Sequence, residues 1–359
     1  PFCRALCGYC DFYSELLAAG RAPPLVDALV RELNMYAARA VFDRFDTIFV
    51  GGGTPTVLPP TDLQRLLQAI RAYAAENDPL EFTVEANPAT VTDEVAAILA
   101  AAGVNRVSLG AQSFNPAELR TLDRTHDPAD VGRTISQCQR AGIRRLSLDL
   151  IFGIPGQTLA SWRASLETAL ALGVEHLSCY GLTYEPDTPL SRQRDAGLIQ
   201  PVDEDLEAAL YETAIDLLAA AGLAQYEISN FARPGAACRH NLRYWHNEPY
   251  LGIDEVRYKN VADIALYVDA LRAGRSSWGE HEQLPPDRRA RETAMLELRL
   301  TEGIDRQRFA ARYGADPVLM FSDAITRHGA AGLIAVSDTH VRLTRAGLLL
   351  ANTVSADFL

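Results

Sequence analysis

Five short apolar runs recur through the first half of this chain: DTIFV (46–50), EFTVE (81–85), NRVSLG (105–110), LSLDLIFG (146–153) and HLSCYGL (176–182). They alternate with Ala/Leu-rich stretches of helical spacing, PPLVDALVRELNMYAARA (23–40), TDLQRLLQAIRAYAAE (61–76), TDEVAAILAAAG (92–103) and PADVGRTISQCQRAG (128–142). Thr61-Asp62 and Thr92-Asp93 read as helix N-caps, and Gly103 and Gly142 as helix stops. Strands alternating with helices imply βαβ units and a parallel sheet. A sixth strand is expected ahead of Cys3, where the chain starts. The expected class is therefore α/β, a partial (β/α)6 barrel, with a doubly wound open sheet as the alternative.

The rhythm changes after residue 200. VDEDLEAALYETAIDLLAAAG (202–222) reads as one long helix, and 225–253 reads as an aromatic, polar loop. Helices are expected around 290–299 and 305–313, followed by a hairpin over LIAVSDTHVRLT (333–344) that turns at Ser337-Asp338-Thr339. The expected division is a barrel over 1–222, an aromatic loop region and connector over 223–261, and a small winged-helix-like α+β unit over 262–359. A chain of 359 residues is long enough for more than one core. Its net charge of −12 argues against nucleic acid as a partner. No apolar run reaches the roughly 20 residues of a membrane helix, and no stretch reads as a secretory leader, so a cytoplasmic location is the expectation.

Three of the six cysteines crowd into PFCRALCGYC, at Cys3, Cys7 and Cys10, while Cys138, Cys179 and Cys238 lie far apart. That distribution is unlike a disulfide framework and suits metal binding. A closed zinc site needs four protein ligands, usually from two cysteine pairs, and no second pair is present. Three thiolates on one loop would instead hold three irons of a 4Fe–4S cube and leave the fourth open. A zinc site completed by Cys238 or a histidine is the competing reading. Further along, the glycines of FVGGGTPT (49–56) follow a strand and let backbone groups approach a ligand closely. Glu85, Gln112 and Asp149 stand at or near successive strand ends, at the mouth of a barrel.

CxxxCxxC with an aromatic residue, Tyr9, before the last cysteine resembles the radical S-adenosylmethionine (SAM) superfamily. The resemblance implies a 4Fe–4S cluster on Cys3, Cys7 and Cys10, SAM chelated to the open iron, reductive cleavage of SAM to a 5′-deoxyadenosyl radical, and a partial (β/α)6 barrel. The same motifs in the same order resemble the oxygen-independent coproporphyrinogen III oxidases and their relatives. That implies SAM contacts from Gly52, Gly53, Thr54, Glu85, Gln112, Arg124 and Asp149.

Two features separate the chain from the oxidases. Phe12 stands where oxidases carry a further cysteine, and RHNLRYW (239–245) contains HNxxYW. Both, together with EISNFARPG (227–235) and YLGI (250–253), resemble the HemW-type haem chaperones. The implied function is binding of cluster, SAM and haem, with delivery of haem to haem proteins such as respiratory haem enzymes. Membrane contact would come only through such a target. A homodimer formed on cluster binding is also implied, and oxidase activity is not expected. His240 is the implied haem ligand, with Tyr244 and Trp245 packing on the macrocycle, Arg239 and Arg243 pairing with propionates, and Cys238 as an alternative ligand. On the residues alone, an aromatic loop with a hydrogen-bonded histidine is the favoured reading, and the resemblance reverses it. After YLGI the chain runs DEVRYKNV, without the glycine-rich Ala-His-Ser segment usual in that family. Coproporphyrinogen oxidation, another radical-SAM activity and a noncatalytic zinc protein remain as alternatives.

Overall fold

The computed structural model of the protein describes residues 1–38, 45–74, 80–248 and 257–359. The motif YLGI and the stretch beside Asp254 lie outside these. Two short strands, β1 (Phe2–Cys3) and β2 (Glu15–Leu16), pair in parallel and bracket the cysteine loop. The five expected strands all form, as β3 (Thr47–Val50), β4 (Glu81–Ala86), β5 (Arg106–Gln112), β6 (Arg145–Phe152) and β7 (His176–Gly181). They are parallel and adjacent in chain order. A doubly wound sheet would reverse that order partway, which this sheet does not. It rolls instead into a half barrel, as one-handed crossovers dictate.

Phe2–Cys3 stands apart from the main sheet, which continues beyond β7 into β8 (Ala224–Glu227) and β9 (Asn230–Ala232). This antiparallel hairpin pairs with β7 through β9, giving seven strands. It lies in the segment expected to be a loop. Its polar residues Glu227 and Asn230 are buried, so the alternation that marks a half-exposed strand is missing.

Crossover helices Pro60–Arg71, Asp93–Ala101, Pro128–Arg140 and Leu159–Ala171 cover the outer face. Thr92 caps its helix by accepting the Val95 amide, and Gly103 and Gly142 take left-handed φ values of 83° and 94° just past their helices. The helix expected to cap at Thr61-Asp62 starts earlier, at Pro60, because proline is preset for the first helical turn. Outward residues Phe82, Val84, Val107, Leu109, Leu146, Leu148 and Leu177 form the main core beneath these helices. The alternating residues Glu81, Thr83, Arg106, Ser108, Ser147, His176 and Ser178 are buried as well. Both faces are thus covered, and the inner one is polar.

Beyond the sheet, β10 (Arg257–Asn260) and β11 (Trp278–Glu282) form an antiparallel pair. The helix between them, Ile264–Arg272, buries Ile264, Tyr267, Val268 and Leu271 in the main core. A second core gathers Ala294, Leu298, Phe309, Phe321, Val341 and Phe358. It is built on β12 (Ile304–Asp305), β13 (Ile334–Val336) and β14 (His340–Leu343) in the order β12-β14-β13, and the expected hairpin turns at residues 337–339. Arg345 clamps this part to the helix Glu204–Ala220 with bonds of 2.6 and 2.9 Å to Asp216. Among the described residues, no helix is long and apolar enough to cross a membrane.

Trp162 is fully buried and donates its indole N–H to the Leu210 carbonyl at 2.8 Å, joining two outer helices. Trp162→Phe removes the donor and part of the ring, and is expected to cost about 1–3 kcal/mol in urea unfolding. A loss below about 0.5 kcal/mol would show that this bond does not hold the helices together.

Candidate functional site

The carboxyl ends of the parallel strands open into a cavity of ≈ 520 Å³. Its lining brings together residues far apart in sequence: Cys3, Cys7 and Cys10 with Gly52, Gly53, Thr54, Glu85, Gln112, Arg124 and Asp149. Every cysteine and SAM-contact residue expected from the sequence reaches this one place. The three cysteines are partly exposed free thiols, whereas Cys138, Cys179 and Cys238 are buried free thiols. Among the described residues, no three His, Cys, Asp or Glu side chains converge to hold a single metal ion.

The glycine motif fastens the cysteine loop as well as lining the cavity. A Cβ on Gly53 would lie 2.8 Å from the Phe2 carbonyl oxygen, so only glycine lets β1 approach so closely. The next residue, Thr54, donates its amide to that oxygen at 2.8 Å, and its hydroxyl lies 3.6 Å from the Cys3 sulfur. Gly52 takes φ +114° and donates its amide to Glu85 at 3.0 Å.

Arg124 reaches in from the loop after the helix Pro116–Thr121, placing one nitrogen 2.5 Å from the Gly110 carbonyl and another 3.5 Å from the Cys7 sulfur. Its buried Nε has no partner among the described residues. Gln112 ends β5 at a bulge and takes φ +62°, an uncommon conformation for a residue with a side chain. Backbone of this kind collects at functional sites.

Burial shapes the charge of this cavity. Glu85 is pushed up to about 7 by desolvation and then by the negative charge of Asp149. Asp149 is also raised by its burial, although Ser178 and Ser108 donate to it, the latter at 3.2 and 3.3 Å. The Cys10 thiol is raised by burial too. Tyr9 is partly buried against Leu122, Ile151 and Ile154, and its phenol is raised mainly by desolvation. Tyr180 also lines the cavity. Neither tyrosine was expected as a site residue. The sequence did carry a signal for Tyr180, which follows Ser178 at the inward period of β7.

His240 is not in this cavity. It lies at the opposite, amino-terminal end of the strands, on the helix Arg239–Trp245. Its backbone amide donates to Glu81, the first residue of β4, at 2.9 Å. Its Nδ1 lies 3.1 Å from the Thr47 hydroxyl, and its ring stacks on Phe49 at 5.3 Å. Glu85 lies four positions beyond Glu81, about 13 Å along the strand.

The neighbours of His240 already have partners within the chain. Arg239 and Arg243 both pair with Asp46, and Arg243 also pairs with Glu248 at 2.6 Å. Cys238 is fully buried, with its thiol bonded to Glu81 at 3.4 Å and raised to about 11, mainly by burial. It is no ready alternative ligand. Tyr244 is exposed and meets the His240 ring edge-on at 5.1 Å, whereas Trp245 lies under Arg299 of the C-terminal part.

Residues 1–169 match the model of the radical SAM superfamily, and residues 284–350 match the HemN C-terminal domain. A protein of Bacillus subtilis (strain 168) named heme chaperone HemW is 36% identical over 368 residues, covering 100% of this chain and 97% of that protein. Proteins of the same name are 36% identical in Mycobacterium tuberculosis (strain ATCC 25618 / H37Rv), over 99% of this chain and 92% of the relative, and 40% identical in Escherichia coli (strain K12), over 70% and 66%. The solved structure of coproporphyrinogen III oxidase (HemN) from Escherichia coli, described as a radical SAM enzyme, superposes with a TM-score of 0.85. It covers 100% of this chain and 88% of that one at 21% identity, a likeness of fold. With the Bacillus and Mycobacterium relatives matched along 97% and 92% of their length, the chain belongs to the HemW family within the radical SAM superfamily.

Proposed function

We propose that this chain is a haem chaperone that carries a 4Fe–4S cluster and SAM at one pole of its half barrel, binds haem at the other through His240, and passes haem to acceptor proteins. The observation that carries the cluster reading is the gathering of Cys3, Cys7 and Cys10 around one cavity beside the three strand-end polar residues Glu85, Gln112 and Asp149. Soft thiolates suit iron–sulfur clusters. When bound, the cluster supplies a reducing electron at its open iron.

The protein's own residues have distinct parts in this reading. Cys3, Cys7 and Cys10 hold the cluster. Gly52, Gly53 and Thr54 present backbone to the amino group of SAM, and Arg124 meets its carboxylate. Glu85, Gln112 and Asp149 take its hydroxyl and polar edges. His240 keeps Nδ1 engaged with Thr47, which leaves Nε2 as the nitrogen to meet haem iron, the arrangement typical of metal-ligating histidines. The HemW names of the relatives support delivery of haem to haem proteins.

Anaerobically reconstituted protein is expected to contain about four irons and four sulfides per chain. Cys7→Ser should lose most of this iron by metal analysis; undiminished iron would remove Cys7 from the cluster. Haem titration followed by absorbance should show stoichiometric binding to the wild type and its loss in His240→Ala. Equal binding by both proteins would move haem away from this helix.

Glu85 generates a pH prediction. It retains a proton in the folded chain where the unfolded chain has released it, so its contribution to stability falls as pH rises from about 4.5 to about 7. Glu85→Gln should therefore stabilise the cofactor-free protein at pH 8 by about 2 kcal/mol and leave it nearly unchanged at pH 5. Equal gains at both pH values in thermal melts would contradict the assignment.

A further inference from the structure

We propose that Glu81 is the positioning residue of the haem site: its carboxylate anchors the helix of His240 to the floor of the barrel and so sets where the imidazole points. The inference rests on the reading of His240 as the haem ligand.

Glu81 opens β4 on the polar inner face and is 0% exposed. A buried carboxylate is costly unless its oxygens are bonded. Here it accepts the amides of Arg239 at 3.1 Å and His240 at 2.9 Å and the Cys238 thiol at 3.4 Å, and it pairs with Arg145 at 3.3 Å. Three consecutive residues of one segment therefore converge on a single carboxylate from a strand more than 150 positions earlier.

The backbone amides of the helix's first turn depend on Glu81. The helix is only seven residues long, and Cys238 at its N-cap makes no side-chain capping bond. Helices this short are not stable on their own. Without Glu81, two amides would be left without acceptors in a partly buried setting.

The ring is fixed from the same rung of the sheet. Thr47 pairs directly with Glu81 across β3 and β4, and its hydroxyl lies 3.1 Å from His240 Nδ1. One rung thus fixes the backbone through Glu81 and the imidazole through Thr47, while Phe49, two residues along β3, stacks on the ring. The thiol of Cys238 is committed to the same carboxylate, which keeps a competing soft ligand out of play.

The test uses the full chain with its cluster reconstituted, titrated with ferric haem and followed through the Soret band. Hydrogen–deuterium exchange is read in parallel on the peptide spanning residues 238–245. Glu81→Ala is expected to weaken haem binding at least tenfold, alter the Soret band and accelerate exchange at Arg239 and His240. Glu81→Gln, which keeps an acceptor oxygen, should restore affinity to within about threefold of wild type. Wild-type affinity and spectrum in Glu81→Ala would overturn the inference, as would unchanged exchange. Should Glu81→Ala fail to fold, Thr47→Val provides a separate arm. It should weaken haem binding without changing exchange at the helix, and wild-type affinity in Thr47→Val would overturn the proposal. Undiminished haem binding by His240→Ala would instead sink the assignment of His240, and the exchange data would then report on the helix anchor alone.

Discussion

The pleat of β4 is the constraint on which both ends of this molecule depend. Successive side chains point to opposite faces, so Phe82 and Val84 go beneath the outer helices while Glu81, Thr83 and Glu85 face the hollow of the half barrel. The two acids then serve opposite poles. Glu85 receives the Gly52 amide beside the cysteine cavity, and Glu81 receives the Arg239 and His240 amides at the floor. A shift of one residue in strand register would send both carboxylates into the apolar core. Parallel pairing on either side of β4 holds that register through βαβ crossovers.

The polar inner face explains how one sheet can carry two separate sites. Arg106, Ser108, Ser147, His176 and Ser178 continue the hydrophilic lining from β5 to β7. His176 bridges the Ser147 hydroxyl at 2.7 Å and the Tyr226 phenol at 2.8 Å, and Tyr226 in turn accepts the Cys238 amide. Buried polar groups joined in this way stay fixed in place, since breaking one bond leaves others unpaired. The helix Arg239–Trp245 is clamped from outside as well. Arg312 donates to the carbonyls of His246 and Asn247, and Arg299 covers Trp245. The C-terminal part therefore bears directly on the segment proposed to meet haem.

Much of this was legible in the sequence because it is local. Strand and helix alternation depends on residues within a few positions of one another, and all five expected strands are present. The cysteine spacing is equally local, and the strand-end residues Glu85, Gln112 and Asp149 follow from knowing where strands stop. The hairpin 224–232 was not legible, because its buried polar residues gain their partners only in the folded chain. Glu81 stood in plain view at the head of EFTVE, yet nothing nearby in sequence marks an acid whose partners lie at Cys238, Arg239 and His240.

The sequence by itself determined the alternating architecture, the cluster-type cysteine loop and membership of a family carrying HNxxYW. Only the tertiary structure decided that the cysteine cavity and His240 occupy opposite ends of the same strands. It also decided that Arg239, Arg243 and Cys238 are already engaged by Asp46, Glu248 and Glu81. The physical reason is that a motif specifies which groups a segment offers. Whether those groups are free depends on charges brought in from elsewhere, and here Glu81 and Asp46 come from more than 150 residues away, while Glu248 lies five residues from Arg243.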